Sequence, residues 1–150
     1  EENAVGMVDF YGKEEHVKLF MKRPEMNACT DGLLGGKPHP RVFGAFPRIL
    51  GKYVREENTF SLEDAIYKMT KKPATTFNIV NRGELHEGNF ADITIFNPET
   101  VIDKGTYTDP VQYPEGIEYV MINGKLTVAE GRHTSNRSGV VLRKKGTDVR

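Results

Sequence analysis

The sequence predicts an α/β chain that passes into an all-β part near residue 79. Three observations carry this expectation. Residues 5–32 alternate strand-like and helix-like stretches and close on a turn, the rhythm of βα units. A capping-box pattern at Ser61 opens a further helix. Beyond residue 79 the apolar residues form β-branched runs punctuated by Asn-Pro and Asn-Gly. A chain of 150 residues is long enough to bury roughly 70% of the surface its unfolded form exposes.

Taken in order, residues 5–11 read as a short strand ending at Gly12-Lys13. Residues 14–22 follow as a helix with Val17, Phe20 and Met21 on one face. Glu14 and Glu15 complement its dipole, and Pro24 ends it. Residues 26–30 run from apolar to small and close on Asp31-Gly32, which suits a buried strand ending at a turn. Two Gly and two Pro make residues 33–40 a loop. Residues 42–56 mix apolar and basic side chains at roughly helical spacing, interrupted by Pro47. In Ser61-Leu62-Glu63-Asp64 the Asp takes the place of the usual capping-box Glu, and Leu62, Ala65, Ile66 and Met69 form the expected buried stripe. Pro73 is expected to stop that helix, with a short turn at 74–77.

Residues 93–96 read as a strand ending at Asn97-Pro98. Residues 119–122 and 125–129 flank Asn123-Gly124, a hairpin signal because Asn-Gly supplies the positive φ angles of a type I′ turn. Residues 140–143 read as one more strand.

Composition narrows the partners. Lys plus Arg and Asp plus Glu both number 21, so no excess charge draws nucleic acid or an anionic membrane, and neither is an expected partner. No apolar run approaches the roughly 18 to 20 residues of a membrane span. Cys29 is the only cysteine, which rules out an intrachain disulfide and makes a cytoplasmic setting the expectation. The start, Glu1-Glu2-Asn3, has no initiator Met and no basic-then-apolar leader, so the chain is expected to begin inside a longer protein.

Several stretches resemble a known family. Thr70, Pro73-Ala74, Gly83, Leu85, Gly88, Ala91-Asp92-Ile93, Ile95 and Asn97-Pro98 are similar to the C-terminal signature of the amidohydrolase superfamily. A second set is more specific: His39-Pro40-Arg41, Phe46-Pro47-Arg48, Gly51, Tyr53, Asp109-Pro110, the run from Tyr113 to Val120, and Asn123-Gly124. This set resembles the N-acyl-D-amino-acid deacylases, over residues 6–143. The resemblance implies a (β/α)8 barrel with a small β-sandwich domain. Residues 1–78 would then hold the last two βα units of the barrel, with strands at 5–11 and 26–30. Residues 79–150 would be the C-terminal part of the β-domain.

The resemblance also implies the chemistry. Asp31 matches the family's final Asp, here in Cys29-Thr30-Asp31-Gly32 where the family usually has Ser before the Asp. A carboxylate at the C-terminal end of a barrel strand faces the active-site mouth. It would take the proton of a metal-bound water and return it to the leaving amine. Asp-Gly also simply marks a turn. Arg41 matches the family residue that holds the substrate's free carboxylate, a task suited to a guanidinium fork. His39 in the same loop is a further substrate-binding candidate. Zinc is the implied metal, with its main ligands upstream of this chain; Asp31 would be at most a weak ligand to a second metal. His16, His39, His86 and His133 show no metal-binding spacing.

The expected protein is therefore a piece of a zinc-type hydrolase that cleaves the linear amide of N-acyl-D-amino acids, inactive alone and partnered by the remainder of its own chain. Two alternatives stand beside it. One is a cyclic-amide hydrolase of the hydantoinase or dihydroorotase kind, and the other is a non-catalytic β-rich module.

Overall fold

The computed structural model describes residue 9 and residues 12–143. The strand expected at 5–11 therefore lies outside the described residues except for Asp9. Among the described residues four α-helices come first: α1, Glu14–Met21; α2, Arg41–Arg48; α3, Leu62–Met69; and α4, Lys71–Thr76. Four strands follow: β1, Ile93–Phe96; β2, Ile117–Ile122; β3, Lys125–Ala129; and β4, Arg132–His133. They form one antiparallel sheet in the order β1-β2-β3-β4.

Helix α1 forms where its acids and apolar spacing place it, but its apolar face is not covered. Val17, Leu19 and Phe20 are exposed, Phe20 to 67%, and Met21 alone packs on the core. Polar contacts hold the helix instead. Glu14 accepts hydrogen bonds from the Lys52 ammonium and from the Tyr53 hydroxyl (2.8 Å), and Lys18 pairs with Glu57 at 2.7 Å. Residues 26–30 do not form the expected strand. The amide of Ala28 donates to the carbonyl of Lys68 in α3 at 3.0 Å. A strand exists only through its ladder partners, and no strand lies beside this segment among the described residues.

Pro47 does not break the helix that contains it. Pro47 cannot donate to the carbonyl four residues back and crowds it. Helix α2 instead opens into a π-helical segment, Ile49–Glu56, where the Glu57 amide reaches back five residues to Lys52 at 2.9 Å. Gly51 lies on its inner side. A Cβ there would sit 2.5 Å from the Val101 carbonyl oxygen and 2.4 Å from Ile102 Cδ1, so only glycine lets the 101–102 segment pass this close. Arg55 then donates to the Val101 carbonyl at 2.6 Å.

Helix α3 starts as expected, with the Ser61 hydroxyl accepting the Asp64 amide at 3.1 Å. Of its predicted stripe, Ala65 is fully buried and Leu62 and Met69 pack on the core, while Ile66 is exposed. Lys68 is buried in its place. Its ammonium donates to the carbonyls of Met21 (2.7 Å), the last residue of α1, and Arg23 (2.5 Å), just past it. The helix ends at Thr70 rather than at Pro73. Pro73 sits in the first turn of α4, where an amide would have had no helical partner anyway.

The hairpin forms as the Asn-Gly signal requires. Ile122 pairs with Lys125, and Asn123 and Gly124 have φ of 50° and 76°. The turn is anchored by side chains: the Asn123 amide donates to Asp92 Oδ1 at 2.8 Å, and Arg82 bridges Asp92 and the Asn123 side chain. Residues 140–143 form no strand, and Val140, Val141 and Leu142 are exposed. The core joins both parts of the chain, with Ala28, Ile49, Leu50, Tyr53 and Ala65 packed with Val101, and Phe96 and Ile117 at its margin.

Candidate active site

Asp31 closes the segment that precedes α2. Its φ of 45° lies in the left-handed region, which Asp tolerates better than most residues. The Thr30 hydroxyl accepts the Gly32 amide at 3.3 Å and holds the turn. A Cβ on Gly32 would lie 3.1 Å from Val42 Cα, so the turn rests directly on the first turn of α2. The loop then returns, and Arg41 emerges as the first residue of that helix behind Pro40.

This arrangement brings two of the three predicted residues into contact. Arg41 Nη2 lies 2.9 Å from Asp31 Oδ2, with the Asp31 side chain 77% exposed and that of Arg41 41% exposed. An ion pair this open contributes about 0–1 kcal/mol. Arg41 Nε is buried and has no acceptor among the described residues. His39 does not reach Asp31; it serves the backbone, its Nδ1 accepting the Arg41 amide at 3.0 Å. That bond requires the neutral ring to carry its proton on Nε2. Burial, and then the neighbouring Arg41 charge, hold the His39 pKa below the ordinary 6.5.

A second segment, not anticipated from the sequence, completes the site. The Tyr107 ring meets His39 edge-on, with centroids 5.2 Å apart and planes at 88°. Tyr113 meets Phe43 in the same way at 6.0 Å. Two residues before Tyr107, a Cβ on Gly105 would lie 3.5 Å from Pro40 Cβ. The loop closes on itself: the Thr106 amide donates to the Asp109 carbonyl and the Asp109 amide to Thr106 Oγ1, both at 2.9 Å. The aromatic-rich stretch around Asp109-Pro110 was the available signal, but no local pattern says which loop it will meet.

The site thus offers an exposed carboxylate able to take and return a proton, beside a guanidinium able to hold an anion. Among the described residues no group of three or more His, Cys, Asp or Glu is placed to hold a metal ion. The site lies apart from two concavities elsewhere among the described residues. A groove of about 770 Å³ between α2, α3 and β1 is lined by Phe46, Leu50, Met69, Ile93 and Phe96, and a smaller hollow by Leu85 and Phe90; Asp31, His39 and Arg41 line neither. No helix among the described residues is long and apolar enough to cross a membrane.

Comparison with known proteins gives the family. D-aminoacylase of Alcaligenes xylosoxydans xylosoxydans is 42% identical over 143 residues, which is 95% of this chain and 30% of that protein. The crystal structure of a D-aminoacylase described as defining a novel subset of amidohydrolases superposes with a TM-score of 0.85 at 35% identity, over 88% of this chain and 28% of that one. N-acyl-D-glutamate deacylase from Bordetella bronchiseptica, solved with zinc and a phosphonate mimic of the tetrahedral intermediate, gives a TM-score of 0.75 at 39% identity, over 81% and 27%. Dihydroorotase of Lactobacillus johnsonii matches a shorter stretch, 46% identical over 78 residues, 52% of this chain and 17% of its own length. The chain thus spans less than a third of the length of each of these relatives. The family model for the amidohydrolases matches residues 28–128. The chain belongs to the amidohydrolase family.

Proposed function

We propose that the protein carrying this chain hydrolyses the linear amide of N-acyl-D-amino acids, with Asp31 as general acid-base and Arg41 as the anchor of the substrate carboxylate. The observation that carries the reading is the Asp31–Arg41 pair at 2.9 Å. In an N-acyl amino acid the scissile nitrogen and the carboxylate hang from the same carbon. A proton carrier for one and a cationic fork for the other must therefore be neighbours. In dihydroorotate the carboxylate sits farther round the ring from the scissile nitrogen, and hydantoins need carry none. The pair favours the linear substrate.

In this reading the substrate carboxylate takes over Arg41 and frees Asp31. The exposed pair is weak enough to open. Asp31 then accepts the proton of the attacking water and delivers it to the leaving nitrogen. A zinc ion, as in the Bordetella relative, would supply Lewis-acid polarisation of the amide. The described residues make no such site by themselves, so the chain's own share is at most the Asp31 carboxylate.

We read residues 1–78 as the last two βα units of the barrel, with residues 26–30 becoming a strand only beside the rest of the barrel, and residues 79–150 as part of the small β-domain. The superposition on D-aminoacylase supports the fold, and the site at 31–41 supports the assignment of the mouth. Exposed Leu19, Phe20, Leu33 and Leu34 and the open apolar groove suit cover by the remainder of the same enzyme chain.

Arg41→Met in the full-length protein tests the role. Loss of a charge-assisted contact is worth roughly 10- to 150-fold in affinity. KM for N-acetyl-D-methionine should rise by that factor with kcat nearly unchanged. N-acetyl-D-methioninamide, which lacks the carboxylate, should not respond. An unchanged KM for the acid would remove Arg41 from substrate binding.

A further inference from the structure

We propose that Tyr107 is a positioning residue for Arg41, acting through His39 from the β part of the chain; the proposal rests on the substrate-binding role given to Arg41. The line of contact is short. The Tyr107 ring meets the His39 ring edge-on at 5.2 Å and 88°, and His39 Nδ1 accepts the Arg41 amide at 3.0 Å. The ring that touches Tyr107 is thus the ring that fixes the backbone from which the guanidinium springs.

Two features make this brace matter. The forward contact of the guanidinium is the exposed ion pair with Asp31, which screening weakens, so the backbone governs where the fork stands. A loop imidazole can also rotate about both side-chain bonds, and the acceptor Nδ1 faces the Arg41 amide in only some rotamers. A ring-edge contact of this kind shifts such a choice by roughly 2- to 13-fold. The brace is itself well founded. Its loop is closed by the paired Thr106 and Asp109 bonds, Gln112 Nε2 adds a bond to Asp109 Oδ2 at 2.9 Å, and Pro110 is buried. Gly105 packs against Pro40, the residue between His39 and Arg41.

The test uses the full-length protein and N-acetyl-D-methionine. Tyr107→Ala should raise KM by roughly 2- to 13-fold while kcat stays within about twofold. Tyr107→Phe keeps the ring edge, so its KM should lie closer to wild type than that of Tyr107→Ala. In a His39→Ala background Tyr107→Ala should add nothing, because the ring it braces is gone. In an Arg41→Met background Tyr107→Ala should add nothing, since both act on one contact. A fall in kcat at constant KM, or a full additional effect in the Arg41→Met background, would overturn the proposal. Should Tyr107→Ala not fold, Tyr107→Leu keeps the bulk without the ring. A crystal structure of the variant decides the brace independently of activity. His39 Nδ1 parted from the Arg41 amide supports it, and the contact unchanged at 3.0 Å refutes it. Absence of turnover in the wild type would instead count against the proposed function, and the structural comparison would still decide the brace.

Discussion

A carboxylate at positive φ can be exchanged for an amide without asking the backbone to move, because Asp and Asn share a tolerance for the left-handed region. Asp31, at φ 45°, is such a position. Asp31→Asn in the full-length protein should fold normally, since the exposed pair with Arg41 contributes only about 0–1 kcal/mol. An amide cannot carry the proton, so kcat should fall by roughly 10²- to 10⁴-fold. A folded variant retaining more than about a tenth of wild-type kcat would leave Asp31 as a turn residue. His39 makes a separate prediction. Its pKa is lowered first by burial and then by the Arg41 charge, so an NMR titration should place its midpoint below 6.5. The folded state then binds this proton less readily than the unfolded chain does. The stability linked to neutral His39 is therefore complete above the unfolded value and is lost as pH falls through the folded one. A midpoint at or above the ordinary value would contradict the burial of the ring.

At the level of elements, the sharpest constraint is the passage of residues 101–102 across the π-helical segment. Gly51→Ala places a Cβ against the Val101 carbonyl and the Ile102 side chain. Backbone must shift, and overpacking of this kind costs about 1–3 kcal/mol. Urea unfolding of the full-length protein should show the loss, and an unchanged midpoint would mean that the two segments do not pass so closely. Local signals were legible in the sequence: the Ser61 cap, the Asn123-Gly124 turn, the β1 run and its Asn97-Pro98 stop. What stayed hidden is long-range. Lys68 reads as a solvated charge until the carbonyls of Met21 and Arg23 arrive to satisfy it. Residues 26–30 read as a strand from composition, yet composition cannot supply a neighbour to pair with. Pro47 reads as an interruption because sequence spacing does not register a helix that widens and continues. The site divides in the same way. Asp31 and Arg41 could be named from the sequence, whereas the approach of Tyr107 to His39 depends on how the β part docks.

At the scale of the whole molecule, one core joins helices and sheet through Val101, Phe96 and Ile117, while other apolar surfaces lie open. That combination suits a chain seated in a larger enzyme, and the relatives of which it spans less than a third agree in kind. The central claim is the substrate class, and substrate competition measures it. The full-length, zinc-loaded protein should be assayed for kcat/KM on N-acetyl-D-methionine, N-acetyl-D-glutamate, hydantoin and dihydroorotate under one set of conditions. The account predicts release of the free D-amino acid from at least one linear substrate, with both cyclic amides poorer by at least about tenfold, the scale of one lost charge-assisted contact. Preferential opening of a cyclic amide, with the linear acyl amino acids left intact, would contradict it.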